Sequence, residues 1–126
     1  MSQIIATTLS NGSVSVPTAT VVNGSAKAWV NFDGTGTIAA RGSFNVASLT
    51  DNGTGDYTVN FTAALTDANY SSLMLGRSPV GSVAMTIGGS SSRTASSVRF
   101  VVNYANNTSG AGTAFDVSLC DVAIFR

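Results

Sequence analysis

From Ala26 onward, apolar residues recur at every second position along the chain. Ala28, Val30 and Phe32 alternate with Trp29 and Asn31, and Phe44 and Val46 with Asn45 and Ala47. Tyr57, Val59 and Phe61 alternate with Thr58, Asn60 and Thr62, and Val83, Met85 and Ile87 repeat the pattern. Val98, Phe100, Val102 and Tyr104 leave Arg99 and Asn103 on the opposite side. A strand sends successive side chains to opposite faces, so period two marks strands with one face buried. Between these runs stand Asp33-Gly34, Asp51 to Gly55, Gly76 to Gly81, Gly88-Gly89-Ser90 and Asn106 to Gly112. Gly, Asn and Asp accept the positive φ that tight reversals require. The clearest hairpin pairs 43–50 with 56–62 around Asp51–Gly55. No window shows helical spacing with caps, and the one helical candidate is a turn over 63–68. About eight short strands separated by such turns predict an all-β fold, an antiparallel sandwich of jelly-roll-like form, with a closed barrel as the alternative.

The first 25 residues read differently. Ile4-Ile5 and Val14-Ser15-Val16-Pro17 are short apolar pieces set in Thr, Ser, Asn and Gly. Pro17 lacks an N–H and confines strand pairing to an edge. Residues 1–25 are therefore expected to form an extended arm, either disordered or lying on a neighbouring subunit, ahead of a β-sandwich domain over 26–126. The last apolar run changes parity: Phe115, Val117 and Leu119 keep one side, Val122 and Ile124 take the other, and Phe125 returns. A bulge or a strand buried on both faces does this. Trp29 likewise faces away from Ala28, Val30 and Phe32. One outer face is expected to be covered by subunit contact, with Ile4, Ile5, Val14, Val16, Trp29, Val122, Ile124 and Phe125 as the interface candidates.

Composition sharpens that expectation. Only 10% of the 126 residues are charged and the net charge is zero, against about 25% charged in an ordinary soluble domain. Such a surface has little electrostatic defence against self-association. Six basic and six acidic residues, scattered singly, offer no run of cations for phosphates, and Lys27 is the one lysine. Nucleic-acid binding and membrane insertion are not expected. The lone Cys120 has no partner for an internal disulfide and reads as a small buried hydrophobe. The opening Met1-Ser2-Gln3-Ile4-Ile5 lacks the basic and apolar regions of a leader, so synthesis and retention in the cytoplasm are expected.

Catalytic chemistry finds few residues. The chain has no His and no Glu, which removes the commonest general base and the Ser–His dyads. Zinc sites of the His/Cys type are excluded by the same count. Six Asp remain: Asp33, Asp51, Asp56, Asp67, Asp116 and Asp121. Asp51 and Asp56 flank one hairpin loop and could serve as a glycosidase pair or hold calcium. Asp beside Asn and Gly more commonly satisfies backbone N–H groups in a turn. No catalytic residue, cofactor site or metal site is assigned. Gly34-Thr35-Gly36 and Gly53-Thr54-Gly55 lack the Lys-Ser/Thr and following helix of a phosphate loop.

The run Ala26-Lys27-Ala28-Trp29-Val30-Asn31-Phe32-Asp33-Gly34-Thr35-Gly36-Thr37 is followed by Ser43-Phe44-Asn45-Val46-Ala47-Ser48. Then come Thr50-Asp51-Asn52-Gly53-Thr54-Gly55-Asp56-Tyr57-Thr58-Val59-Asn60-Phe61-Thr62 and Ala68-Asn69-Tyr70. These, with the ending Cys120-Asp121-Val122-Ala123-Ile124-Phe125, resemble a family of small proteins and C-terminal domains of tailed phages and prophages, tail-fibre-like in kind. The resemblance implies a non-catalytic virion structural protein, a homotrimer assembled in the host cytoplasm. Its partners would be other virion proteins and a host-surface glycan. Arg77 and Tyr104, in the loops 76–82 and 104–113, are the receptor-contact candidates. The absence of a coiled coil or long fibre segment leaves a capsid decoration protein, stabilising the head, as the alternative. An enzyme such as a depolymerase is the third reading.

Overall fold

The computed structural model describes residues 2–77, 85–104 and 112–126, the side chains of 85–91 and 104 excepted. Among these residues the order is β1 (Thr8–Ser10), β2 (Ser15–Pro17), α1 (Thr18–Gly24), β3 (Ala26–Asp33), β4 (Ala39–Phe44) and β5 (Val46–Gly53). It continues with β6 (Asp56–Phe61), β7 (Ser71–Gly76), β8 (Met85–Arg93), β9 (Ser97–Tyr104), β10 (Thr113–Ala114) and β11 (Cys120–Phe125). All pairings among them are antiparallel. One sheet runs β4-β3-β11-β7; the other runs β5-β6-β9, with β8 on the far edge of β9. The short β10 pairs with the end of β9, beyond the stretch that β6 covers.

The period-two pattern builds the core. Ala28, Val30 and Phe32 from β3 and Cys120, Val122 and Ile124 from β11 meet Tyr57, Val59 and Phe61 from β6 and Val98, Phe100 and Val102 from β9. The Phe32 ring joins the two sheets: it stands edge-on to Tyr57, with centroids 5.2 Å apart at 79°, and lies 6.5 Å from Phe100. Burying side chains of this size stabilises by about 1.5–3 kcal/mol each, and edge-to-face contact adds about 0.5–1.5 kcal/mol. Phe61 and Tyr70 make a second such pair at 5.9 Å. The Tyr70 hydroxyl donates to the Ser97 carbonyl at 2.8 Å, so its polar end is satisfied where it enters the core.

The all-β antiparallel sandwich expected from the sequence is what the chain forms, and the hairpin around Asp51–Gly55 is present as β5–β6. The strand order does not lend the same support to jelly-roll winding, because β3–β4, β5–β6 and β8–β9 each keep consecutive strands in one sheet. Residues 78–84 and 105–111 fall outside the described residues, and with them Val83, most of the Gly76–Gly81 turn and nearly all of Asn106–Gly112.

Four local readings differ from expectation. Ser43 to Ala47 is two strands, because Asn45 at φ 54° turns the chain from one sheet to the other. Its carboxamide holds the corner: it donates to the carbonyls of Lys27 and Ala63, and its oxygen accepts the Ala63 N–H at 2.7 Å. Gly88-Gly89-Ser90 lies inside β8, where pairing jumps from Gly88 opposite Val101 to Ser92 opposite Arg99. The flexible residues are absorbed as a bulge, and the reversal into β9 falls at Thr94–Ser96, where Thr94 Oγ1 accepts the Ser96 N–H.

The third and fourth differences concern helix and parity. The segment 63–68 is not helical, since Ala63 donates to Asn45 and Leu65 to the Ala95 carbonyl. The helix instead follows Pro17, whose φ of −58° suits a first turn, and the Ser25 N–H closes it onto the Val21 carbonyl. The parity change after Leu119 marks a strand start at Cys120 rather than a bulge within a longer strand.

Candidate functional site

The two outer faces of the sandwich carry different chemistry. Outside β5-β6-β9, short polar side chains are bonded across strands. Asn60 donates to Ser48 and Thr50 hydroxyls at 3.1 Å, and Asn52 to the Thr58 hydroxyl at 2.9 Å. Arg99 grips Asp56 with two nitrogens at 2.9 and 2.6 Å. This face is satisfied as it stands.

Outside β4-β3-β11-β7 large apolar side chains are exposed. Register places Phe44 opposite Trp29, Trp29 opposite Ala123, and Ala123 opposite Leu73. The next row is Gly42, Asn31, Asp121 and Leu75. Trp29 remains 42% exposed, Phe44 55%, Leu73 61% and Leu75 69%. The indole lies diagonally over Gly42 of β4, at van der Waals distance from where a Cβ would stand. Between Trp29 and the two leucines runs an open groove of about 540 Å³, floored by Ala123 and by Asn31 and Asp121. Asn31 Nδ2 donates to Asp121 Oδ1 at 2.6 Å, so the polar pair within the groove is matched internally.

The arm contributes a second uncovered apolar surface. β1 and β2 form a hairpin, and Thr18 ties the start of α1 back to it through the Ala6 and Thr7 carbonyls. Lys27 donates to the Val22 carbonyl near the helix end. The segment expected to be extended is thus a hairpin followed by a one-to-two-turn helix. Its apolar side chains find no core: Ile4 is 94% exposed and Ile5 87%, and Leu9, Val14 and Val22 are also exposed. Val16 is half-buried.

The sequence candidates fall into three groups. Ile4, Ile5, Val14 and Trp29 are exposed, as an interface requires. Val122 and Ile124 face the core at 3% and 0% exposure and are not outer-surface residues; Phe125, on the opposite parity, is half-buried. The alternation of β11 places them so: the strand sits between β3 and β7, and its inward set starts at Cys120. Arg77 is exposed at the end of β7, with its N–H bonded to the Leu119 carbonyl. Tyr104 pairs with Met85 and Thr113 through its backbone, and its side chain lies outside the described residues. Sequence reasoning missed Phe44, Leu73 and Leu75. Ser71-Ser72-Leu73-Met74-Leu75-Gly76 has apolar residues on both parities at its centre, and that was the available signal.

All six carboxylates have structural partners. Asp33 accepts the Thr35 hydroxyl and N–H and pairs with Arg41 at 2.8 Å; these bonds hold its pKa below the ordinary carboxylate value. Asp51 accepts the Gly53 N–H across its own turn. The Arg99 guanidinium holds the Asp56 carboxyl low, and Arg126 does the same for Asp67. Asp116 accepts the Gly55 N–H at 2.7 Å and the Tyr57 hydroxyl at 3.0 Å. Asp51 is therefore bonded within its own turn and Asp56 chiefly to Arg99 of β9. Among the described residues no three of His, Cys, Asp and Glu gather as metal ligands do. Cys120 is buried, and burial pushes its thiol up to about 12. No protein-family model, curated protein or solved structure matches the chain.

Proposed function

We propose that this chain is a non-catalytic structural module that docks through the outer face of β4-β3-β11-β7, in the setting its sequence resembles: a tailed-phage virion. The carrying observation is the contrast between the two outer faces, one bonded across strands by Asn, Ser, Thr and Arg, the other presenting Phe44, Trp29, Leu73 and Leu75. Apolar surface gains about 25 cal/mol for each Å² removed from water, and the polar face gains nothing comparable. A zero net charge adds no long-range repulsion between copies. The module is a homo-oligomer, read as a trimer, that meets neighbouring virion proteins or a host-surface glycan in a fibre or spike.

Mass measurement in native buffer tests assembly; a stable 12.7 kDa species at micromolar concentration would overturn it. Negative-stain microscopy of particles labelled against the protein tests placement. Label at the tail supports the fibre reading, and label over the whole head replaces it with capsid decoration.

A further inference from the structure

The groove between Trp29 and Leu73/Leu75 and the exposed Ile4–Ile5 pair belong to one chain, and neither has a partner among the described residues. We infer that the occupant of the groove is the arm of a second copy, with Ile4 and Ile5 laid against Trp29, Leu73 and Leu75. This rests on the assembly reading above and names the segment that performs it.

Area decides between a face-to-face dimer and arm exchange. A specific, stable interface buries about 800 Å² on each partner. The four exposed side chains of the sheet face hold only on the order of 450 Å², taking ~200 Å² for a large side chain fully in water. Two such faces pressed together fall well short. The apolar residues of the arm, Ile4, Ile5, Leu9, Val14, Val21 and Val22, are exposed by 38–94% and hold roughly 800 Å² more on the same rule. A copy that gives its arm and receives another's exceeds the requirement, and it does so without any change in its own sandwich.

Charge and shape agree. Residues 2–25 contain no Asp, Glu, Lys or Arg, so the arm brings no charged side chain of its own to be desolvated in the groove. Asp121, the carboxylate on the groove floor, already has its Asn31 partner. A glycan fits less well: it needs free hydroxyl partners, and the polar groups here bond each other while two leucines form the far wall.

The test uses two exposed positions whose replacement leaves the core intact. Ile5→Cys and Leu75→Cys are made in separate full-length chains, mixed and oxidised under mild conditions. Cys120 is buried and its thiol stays protonated, so it does not compete. The expected result is a disulfide-linked heterodimer joining positions 5 and 75, with at least tenfold less from Ile5→Cys mixed with Thr50→Cys on the polar face. A monomeric mass for the unmodified chain overturns assembly and arm exchange together. An oligomer that yields no 5–75 link overturns arm exchange alone, as does a double variant that closes the link within one chain. Trp29 is the single tryptophan, and its emission should move to shorter wavelength as concentration rises. Ile4→Ser/Ile5→Ser abolishes that movement. If chitohexaose or maltoheptaose shifts the emission of a chain that remains monomeric, the groove is a glycan site and the arm is not its occupant.

Discussion

The Tyr57 hydroxyl sits 3.0 Å from Asp116 Oδ1, and the same oxygen takes the Gly55 N–H at 2.7 Å. One carboxylate thereby ties β6 to the β5–β6 turn and to the connection between β10 and β11. The hydroxyl also lies 3.2 Å from the Gly34 carbonyl and accepts the Val117 N–H. Tyr57 is fully buried, so removing its hydroxyl leaves partners that water cannot readily reach. Tyr57→Phe should cost about 1–3 kcal/mol. Urea denaturation measures this, and an unchanged midpoint would show that the link carries no stability.

Two glycines exist to make that link possible. A Cβ on Gly34 would stand 2.3 Å from the Tyr57 hydroxyl, and one on Gly55 would stand 2.6–2.8 Å from the backbone of Phe115 and Val102. Gly55 also holds φ +67°. Gly36 has a similar φ of +61° and open space around it. Gly36→Ala should therefore cost only the left-handed penalty of about 1–2 kcal/mol. Gly55→Ala adds a backbone collision and should cost at least twice as much. Thermal midpoints of the pair separate strain from crowding, and equal losses would contradict the contact geometry.

Stability should fall at both ends of the pH scale for different reasons. The Asp56 carboxyl is held low by Arg99, so its contribution is present above the unfolded value of about 3.9 and is lost as pH drops through the lower folded value. Cys120 is raised, by burial, to about 12. Its neutral thiol contributes fully below the unfolded value of ~8.5, and that contribution is lost as pH climbs from there toward the folded one. Tyr57 is raised too, chiefly by burial and then by Asp116, and adds a decline above ~10. Urea midpoints from pH 3 to 11 should show a plateau between about 4 and 8.5. In Cys120→Ala the alkaline decline should begin only near the tyrosine range. An identical alkaline limb in that variant would remove the thiol from the account.

Asn45 should resist replacement even though it is only half-buried. At φ 54° most side chains are strained, and its carboxamide joins β3 to the segment after β6. Asn45→Gly relieves the backbone but loses the three side-chain bonds; Asn45→Ala loses the same bonds and keeps the strain. A loss of about 1–2 kcal/mol for Gly and a larger one for Ala is expected. If Gly were neutral, the turn conformation alone would explain the residue.

What the sequence disclosed follows from range. Period two in β3, β6 and β9 is a property of neighbouring residues, and Val30, Val59 and Phe100 are buried as their parity requires. The Asp51–Gly55 hairpin was legible for the same reason. The corner at Asn45 was not, because Phe44 and Val46 share a parity while belonging to different sheets. Val122 and Ile124 misled because their inward direction depends on where β11 begins, and β3 and β7 set that register. Of the candidate face, Trp29 alone was visible. Apolar residues on both parities marked the strand of Leu73 and Leu75, but β11 brings that strand beside Trp29, and no local pattern carries that adjacency.

The placement of β11 also governs the order of events during synthesis. Asn31 and Asp121 meet across a separation of 90 residues, and β11 lies between β3 and β7 in their sheet. Until Cys120–Phe125 has left the ribosome, β3 and β7 each lack a neighbour, and the core lacks Cys120, Val122 and Ile124. Contacts this distant in sequence close slowly, because loop entropy is spent before they form. The sandwich is therefore a structure that its earliest strand must wait for, and the nascent chain, with little charge to keep copies apart, has its Ser, Thr and Asn content to hold water meanwhile.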